Sequence, residues 1–266
     1  MLNEEINNNL GELQTLIMKA HIMTKKLDGF QTPSSRHYFA SILFARVFIQ
    51  FYNFFQIVEN SQKQDENNIA FPIDTPSMTS IIRSIVELYR VFYYGVTEEV
   101  SDDERDLRYL KFNCKSAYDK KRIVKKFDSF IPREDKEKND ICDNLEKEVI
   151  KLKEEIRNHN FFDSLNDSEK QRCLSEGSAM YLAPEEIEKR AGLEKEHQDG
   201  MYIILSSEAH ATPFALEQTA GNVANTGFAQ LTLRLLLSYA IDYLKMYIKG
   251  MIELFPQLFH ENILSE

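Results

Sequence analysis

Apolar residues recur at spacings of three and four along most of the chain, which is typical of amphipathic α-helices. The pattern predicts a first helix over residues 2–27 and a second over about 36–62. A third begins near Pro76 and ends at Gly95, because proline fits a first helical turn and glycine a helix end. The second helix is apolar on nearly all sides, so we expect it at the centre of the fold.

The middle of the chain predicts a pair of long charged helices, from Ser101 to about Ile131 and from Glu134 to about His159. Pro132 stands between them, so the pattern predicts an antiparallel helical hairpin over residues 100–160. Each helix carries an apolar row at the spacing of a coiled-coil seam. The rows are Leu107, Leu110, Cys114 and Ala117 in the first helix, and Cys142, Leu145, Val149, Leu152 and Ile156 in the second.

The last third of the chain predicts short helices within 161–200, a helix that contains "MYIILSSEAHATP", and a final long helix over about 228–255. These elements give the expected fold class, an all-α helical bundle with a long charged antiparallel hairpin. We expect one helical domain over 1–266, with the hairpin as a subdomain.

The amino-acid composition supports an all-α fold and disfavours some classes of function. Nine glycines and seven prolines in 266 residues favour long helices over a β-fold with many turns. The net charge of −10 argues mildly against nucleic-acid binding over the whole surface. Three widely spaced cysteines lack the C-x-x-C pattern of a zinc site and are typical of reduced thiols in a cytoplasm.

Membrane insertion is not expected. The N-terminal stretch "MLNEEINNNL" lacks the basic start and apolar core of an export signal. The most membrane-like segment, residues 38–58, is interrupted by Arg46, Gln50 and Asn53, so we interpret it as a core helix of a cytoplasmic protein.

Narrow polar stripes run along three of the apolar helices, and two interpretations of them stay open. The stripes are Arg46, Gln50 and Asn53; Arg83, Glu87 and Arg90; and Arg234, Ser238 and Asp242. They are either solvent faces or parts of an inward polar cluster. In the second case Arg46 must find a carboxylate, and Glu87 and Asp242 are the candidates, because an unpaired buried charge is very costly.

The stretch "MYIILSSEAHATP" places Ser206 and His210 four residues apart on one helix face. A serine nucleophile is disfavoured, because no G-x-S-x-G elbow is present. A histidine near a helix end commonly satisfies the last carbonyl groups. The alternative is a binding role beside the arginine–glutamate stripe. The candidate binding cluster is Arg83, Glu87, Arg90, Ser206, His210 and Arg46, and no catalytic residue is assigned.

Metal and phosphate motifs are weak or missing. Glu194 and His197 form a single E-x-x-H, whereas a di-iron bundle needs two, so no metal and no cofactor is predicted. No glycine-rich phosphate loop occurs. A basic run could touch phosphates or form a solvated helix face; its cations are Lys115, Lys120, Lys121, Arg122, Lys125 and Lys126.

Two short patterns resemble known families. Arg83 and Glu87 in an R-x-x-x-E pattern, followed by Tyr202, Leu205, Ser206 and His210 in a Y-x-x-L-S-x-x-x-H pattern, are similar to an all-helical bacterial family of unknown function. Arg190 and His197 resemble the Arg…His signature of HEPN ribonucleases. That likeness implies metal-independent cleavage of RNA, although Gly192 interrupts the motif.

Two functions therefore stay open. One is a binding or scaffolding protein of a bacterial defence or stress system, which contacts a protein partner or a second copy of itself. The other is a metal-independent, HEPN-like ribonuclease of toxin or antiphage type. An enzyme should place Arg83, Glu87, Arg90 and His210 around an open pocket. A scaffold should satisfy these charges within the fold and expose apolar surface elsewhere.

Overall fold

The computed structural model describes residues 2–61, 73–127, 135–209, 212–213, 216–217 and 227–259. Within these ranges the chain is α-helical and contains no β-strand, so the predicted all-α helical bundle is confirmed. The helices are α1 Leu2–Leu27, α2 Ser35–Ser61, α3 Thr75–Phe92, α4 Asp102–Phe127, α5 Asp135–Arg157, α6 Asp167–Leu174, α7 Pro184–Arg190, α8 Lys195–Ala209 and α9 Gly227–Leu254. A π-helical turn spans Tyr93–Thr97 and a 3-10 turn spans Asn160–Ser164.

The chain folds into two compact units. The first unit comprises Met1–Thr97 and Glu188–Glu266, and the second unit comprises Glu98–Ile187. The second unit is thus an excursion between two parts of the first. The predicted charged segment 100–160 falls inside the second unit, and the interpretation of the whole chain as one domain stays a prediction.

The core of the first unit is built from the apolar faces of α1, α2, α3 and α9. On α2 the buried positions repeat at helical spacing, and Phe44, Val47, Phe51 and Phe54 are fully buried. The hydroxyl of Tyr247 on α9 donates a hydrogen bond of 2.9 Å to a carbonyl oxygen of α3, that of Ile85. Burial of these large side chains is the main source of stability in this unit.

Helix α3 begins where the sequence predicts and ends differently. The side chain of Asp74 caps its N-terminus by accepting a hydrogen bond of 3.1 Å from the backbone N–H of Ser77. The predicted stop at Gly95 is instead part of the π-helical turn, which buries Tyr94 and Val96. The regular α-helix therefore ends at Phe92, before the glycine, and the buried π-helical turn continues the chain to Thr97.

In the second unit α4 packs along α5. Lys121 of α4 forms an ion pair of 2.5 Å with Glu146 of α5, and Val149 and Ile156 of α5 are buried. The turn predicted at Pro132 lies outside the described residues. Cys114, Cys142 and Cys173 are free thiols.

Candidate functional site

The residues of the arginine–glutamate stripe of α3 do not share one environment in the structure. Arg83 and Glu87 pair with each other, with 3.2 Å between Nε and Oε1, on a part of α3 where their side chains are 35% and 57% exposed. An exposed pair of this kind contributes little to stability.

Arg90, one turn further along, makes a different contact. Its Nε and Nη2 atoms donate hydrogen bonds of 2.8 and 2.5 Å to Oε1 of Glu188 on α7, and both side chains are largely buried. Nearby, the Tyr93 hydroxyl donates a 2.7 Å hydrogen bond to the carbonyl oxygen of Arg190. Charge-assisted bonds of this geometry are among the stronger hydrogen bonds in proteins, so this pair ties α7 to α3.

The "MYIILSSEAHATP" stretch is described only in part. Met201 and Leu205 are buried on the core side of α8, and Ser206 is half-buried. His210 lies outside the described residues, so its pairing with Ser206 stays a prediction. The HEPN-like pattern is split, because Arg190 is the last residue of α7 whereas His197 lies on α8. Gly192 between them has a φ of +72°.

The remaining stripes face solvent. Arg46 and Asn53 on α2 are exposed, and so are Glu87 and Asp242, the carboxylates that the sequence offers to Arg46. Arg234 of α9 pairs instead with Glu5 of α1 at 2.9 Å. The buried side of α2 is filled by aromatic and aliphatic residues, which leaves no room there for a charged side chain.

The basic run on α4 is partly engaged within the second unit. Lys115 pairs with Asp119 at 2.5 Å and Lys121 pairs with Glu146 at the same distance. The other cations of the run, Lys120, Arg122, Lys125 and Lys126, are exposed. Phosphate binding by this helix stays a prediction.

The second unit also contains a cluster of buried charges that the sequence did not reveal. Arg108 is fully buried, with Nη1 2.6 Å from Oε2 of Glu98 and Nη2 2.5 Å from Oε1 of Glu104. The Tyr181 hydroxyl donates a 2.6 Å hydrogen bond to the same Glu104 oxygen. The sequence shows that Glu104 and Arg108 stand at i,i+4 spacing. It gives no sign that they are buried, because the helix that carries them is so polar.

A second group of buried side chains in this unit consists of Lys111 and the thiols of Cys114 and Cys173. Lys111 donates a hydrogen bond to the carbonyl oxygen of Ser175, and burial lowers the pKa of its ammonium group. Burial also raises the pKa of the Cys114 thiol and raises that of Cys173 to about 11. Both thiols therefore stay protonated at neutral pH and are poor nucleophiles.

Tyrosines line the contact of α3 with α9 in the first unit. The ring of Tyr89 lies edge-on to those of Tyr243 and Tyr247, at centroid distances of 5.2 and 5.3 Å. Burial raises the pKa of Tyr89 and of Tyr239 to about 12. The Tyr243 hydroxyl bonds to Oε1 of Gln198 on α8, at 3.2 Å. These rings contribute to the core through edge-to-face packing.

The outer side of α1 and α2 carries an apolar surface that the sequence analysis also missed. Five of its large side chains are between 48% and 60% exposed, and other exposed apolar side chains are spread over later helices. We define the α1–α2 face by these five residues, Met18, Tyr38, Ile42, Ile49 and Tyr52. In the sequence, this face corresponds to a row of apolar residues on α2 at spacings of four, seven and three. The row could not be recognised there, because nearly all positions of α2 are apolar and the sequence does not show which of them face outward.

A groove of about 490 Å³ runs between α1 and α2 at this face. Its lining is almost wholly apolar, and the His21 ring stacks on Phe48 at a centroid distance of 5.4 Å. The residues that line it are Ile17, Met18, His21, Ile22, Phe48 and Tyr52.

Among the residues described above, no group of three or more His, Cys, Asp or Glu side chains is arranged to hold a metal ion. Helix α2 is long and apolar enough to cross a membrane by length and composition alone, and core helices meet the same criteria.

No curated protein and no solved structure matches the chain. The R-x-x-x-E and Y-x-x-L-S-x-x-x-H patterns and the HEPN likeness stay predictions, whereas the expectation of an uncharacterised family is confirmed. The model of a family of unknown function (DUF5677) matches residues 37–226, and the chain belongs to this family.

Proposed function

We propose that the chain is a helical binding protein that holds a protein partner on the α1–α2 face. The observation that carries the proposal is the concentration of half-exposed large apolar side chains on two adjacent helices, beside an apolar groove. The wider context, a bacterial defence or stress system, stays a prediction.

The size of the face supports binding. Five large side chains that are each about half exposed present on the order of 500 Å² of apolar surface to water. Apolar patches of that size on soluble proteins commonly mark interaction sites, because covering them releases roughly 25 cal/mol per Å².

The charged candidates on α3 fit a structural role better than a role in proton transfer. Arg83 pairs with Glu87 at the surface and Arg90 pairs with the largely buried Glu188, so each of these charges already has a partner within the chain. Of the two pairs, Arg90–Glu188 holds helices together, and none of the three α3 side chains is a base positioned beside a serine or cysteine nucleophile among the described residues.

Photo-crosslinking in cells that carry the chain naturally tests this proposal. We expect a photoreactive phenylalanine at Tyr52 to give discrete crosslinked protein bands, because the side chain at this position would lie in the interface. The same probe at Lys249, whose side chain is 78% exposed on α9, is the control and should give none of these bands.

An Ile49→Glu change should remove the bands, because a carboxylate would be buried in an apolar contact. Circular dichroism should show an unchanged helix content, since Ile49 is exposed. Equal crosslinking from positions 52 and 249 would exclude the α1–α2 face as a binding surface.

A further inference from the structure

We infer that the segment that docks on the α1–α2 face is an acidic amphipathic α-helix of a partner protein. This inference rests on the proposed function and adds the shape and charge of the partner. Three features support it: the spacing of the apolar row, the groove beside it and the distribution of charge around it.

The apolar row has the geometry of a helix-packing seam. Tyr38, Ile42, Ile49 and Tyr52 stand at spacings of four, seven and three, as in a heptad pattern, and all four are exposed. From Tyr38 to Tyr52 the row is about 21 Å long at 1.5 Å per residue, which is about four helical turns. A docked helix of that length would present its own apolar residues at matching intervals.

The groove gives this seam a second wall. His21 of α1 stacks on Phe48 of α2, so α1 flanks one side of the row. Met18, His21 and Lys25 are spaced three and four apart along α1 and are all exposed. Two parallel ridges with an apolar channel between them accept the ridge of a third helix.

The charge around the face is opposite to that of the chain. Residues 18–52, the extent of the face, contain five Lys or Arg and one acid, Asp28, for a net charge of +4, and the next acids along the chain are Glu12 and Glu59, well beyond its two ends. Exposed cations border the row on both sides. Lys25 lies one turn beyond His21 on α1, and Arg46 projects from the side of α2 away from Phe48. A partner with carboxylates flanking its apolar stripe would complement this border.

Charge disfavours a second copy of the chain as the occupant, and the width of the row disfavours a lipid surface. A second copy of the chain would bring Lys25 and Arg46 toward the same cations of its twin, without an acid on either face to offset them. A lipid surface suits helices with a broad apolar face, whereas the α2 row is narrow and bordered by Arg46 and Asn53.

Two synthetic 18-residue helical peptides provide the test. Both carry leucines at heptad spacing, but one has glutamates and the other has lysines at the flanking positions. Fluorescence anisotropy with the full chain should show the glutamate peptide binding about tenfold tighter, which corresponds to about 1.4 kcal/mol. The ratio should shrink as salt is added, because exposed charges are screened.

A charge swap identifies the residues responsible. The double variant Lys25→Glu, Arg46→Glu should prefer the lysine peptide. Lys249→Glu, a matched change at an exposed lysine of α9, should leave the original preference unchanged. Ile42→Ser with Ile49→Ser should weaken both peptides without reversing the preference, because it removes apolar contact and no charge.

Each result that would contradict the inference can be distinguished from the others. Equal binding of the two peptides, no binding of either, or a preference that survives the swap overturns the acidic helix. A concentration-dependent dimer that Ile49→Glu dissociates would assign the face to a second copy. Binding to phosphatidylserine vesicles that Ile49→Glu abolishes would assign it to a lipid surface. Crosslinking at position 52 without any charge preference would overturn this inference while the proposed binding function stands.

Discussion

The two units bury different chemistry. In the first unit the buried positions of α2 are aromatic and aliphatic, and ion pairs such as Arg83–Glu87 and Arg234–Glu5 lie at the surface. In the second unit the side chains of Arg108 and Lys111 are fully buried on α4. A highly charged helix can therefore have a dry face, provided that each buried charge meets a partner of opposite charge or a hydrogen-bond acceptor.

The difference has an energetic consequence. An apolar core loses stability in proportion to the volume removed, whereas a buried ion pair loses most when only one partner is removed. The second unit should therefore be sensitive to loss of a single charge at Arg108, whereas loss of one charge from an exposed pair of the first unit, such as Arg83–Glu87, should matter little.

Replacement of Arg108 by alanine should have the largest effect. It leaves the carboxylates of Glu98 and Glu104 without their buried counter-ion, so we expect the second unit to lose about 3–5 kcal/mol of stability. Urea denaturation, with hydrogen exchange of α4 peptides as the local probe, measures this loss. Arg83→Ala, which removes an exposed partner on α3, is the control and should cost under about 1 kcal/mol. Similar losses from the two changes would remove the distinction between the units.

High pH should weaken the first unit through Tyr89. Burial raises the pKa of Tyr89 to about 12, above its ordinary value of 10.0, so the folded state holds this proton more tightly than the unfolded state does. Its contribution is complete below pH 10 and is lost as the pH rises toward about 12, at roughly 1.4 kcal/mol per pH unit. The unfolding free energy of the wild type should fall more steeply over this range than that of Tyr89→Phe. Parallel curves would show that Tyr89 ionises as readily in the fold as in the unfolded chain.

Two glycines test packing within the first unit. A Cβ atom on Gly250 of α9 would lie 2.6 Å from Cγ2 of Thr97 and 2.8 Å from Cε1 of Phe92, closer than such atoms approach. Gly250→Ala should therefore cost about 1–2 kcal/mol net of its gain in helix propensity. Gly11 of α1 has nothing within 4 Å of the same position, so Gly11→Ala should stabilise by up to about 1 kcal/mol. Thermal unfolding of both variants measures the contrast, and a shift of the same sign in both would contradict it.

Local signals in the sequence predicted much of the fold. The first helix, predicted over 2–27, is Leu2–Leu27, and the last, predicted over about 228–255, is Gly227–Leu254. Periodicity and turn residues are properties of neighbours along the chain, so they can be read directly. The end of α3 could not be predicted in this way, because the π-helical turn that buries Tyr94 and Val96 packs against α2 and α9, which are distant in sequence.

The candidate site was less predictable for the same reason. Glu188, the partner of Arg90, lies 98 positions away along the chain. A pattern of neighbouring residues in the sequence cannot predict a pair so far apart. On α2 the sequence drew attention to Arg46 and Asn53, since polar residues stand out in an apolar helix. The face that the structure exposes beside them is apolar, and only the packing of α1 and α3 against α2 shows which apolar residues of α2 stay exposed.

The contact of Arg90 with Glu188 also holds together two parts of the first unit that are far apart in sequence. The chain leaves the first unit after Thr97 and returns at Glu188, and this ion pair, with the Tyr93–Arg190 hydrogen bond, fixes the point of return beside the point of departure. The two chain positions that flank the second unit are thus held together by contacts within the first unit alone. Loop-closure entropy grows slowly, by only about 0.6 kcal/mol for each doubling of length. A segment inserted at such a closed junction can therefore lengthen or shorten with little effect on the stability of the helices that hold its ends.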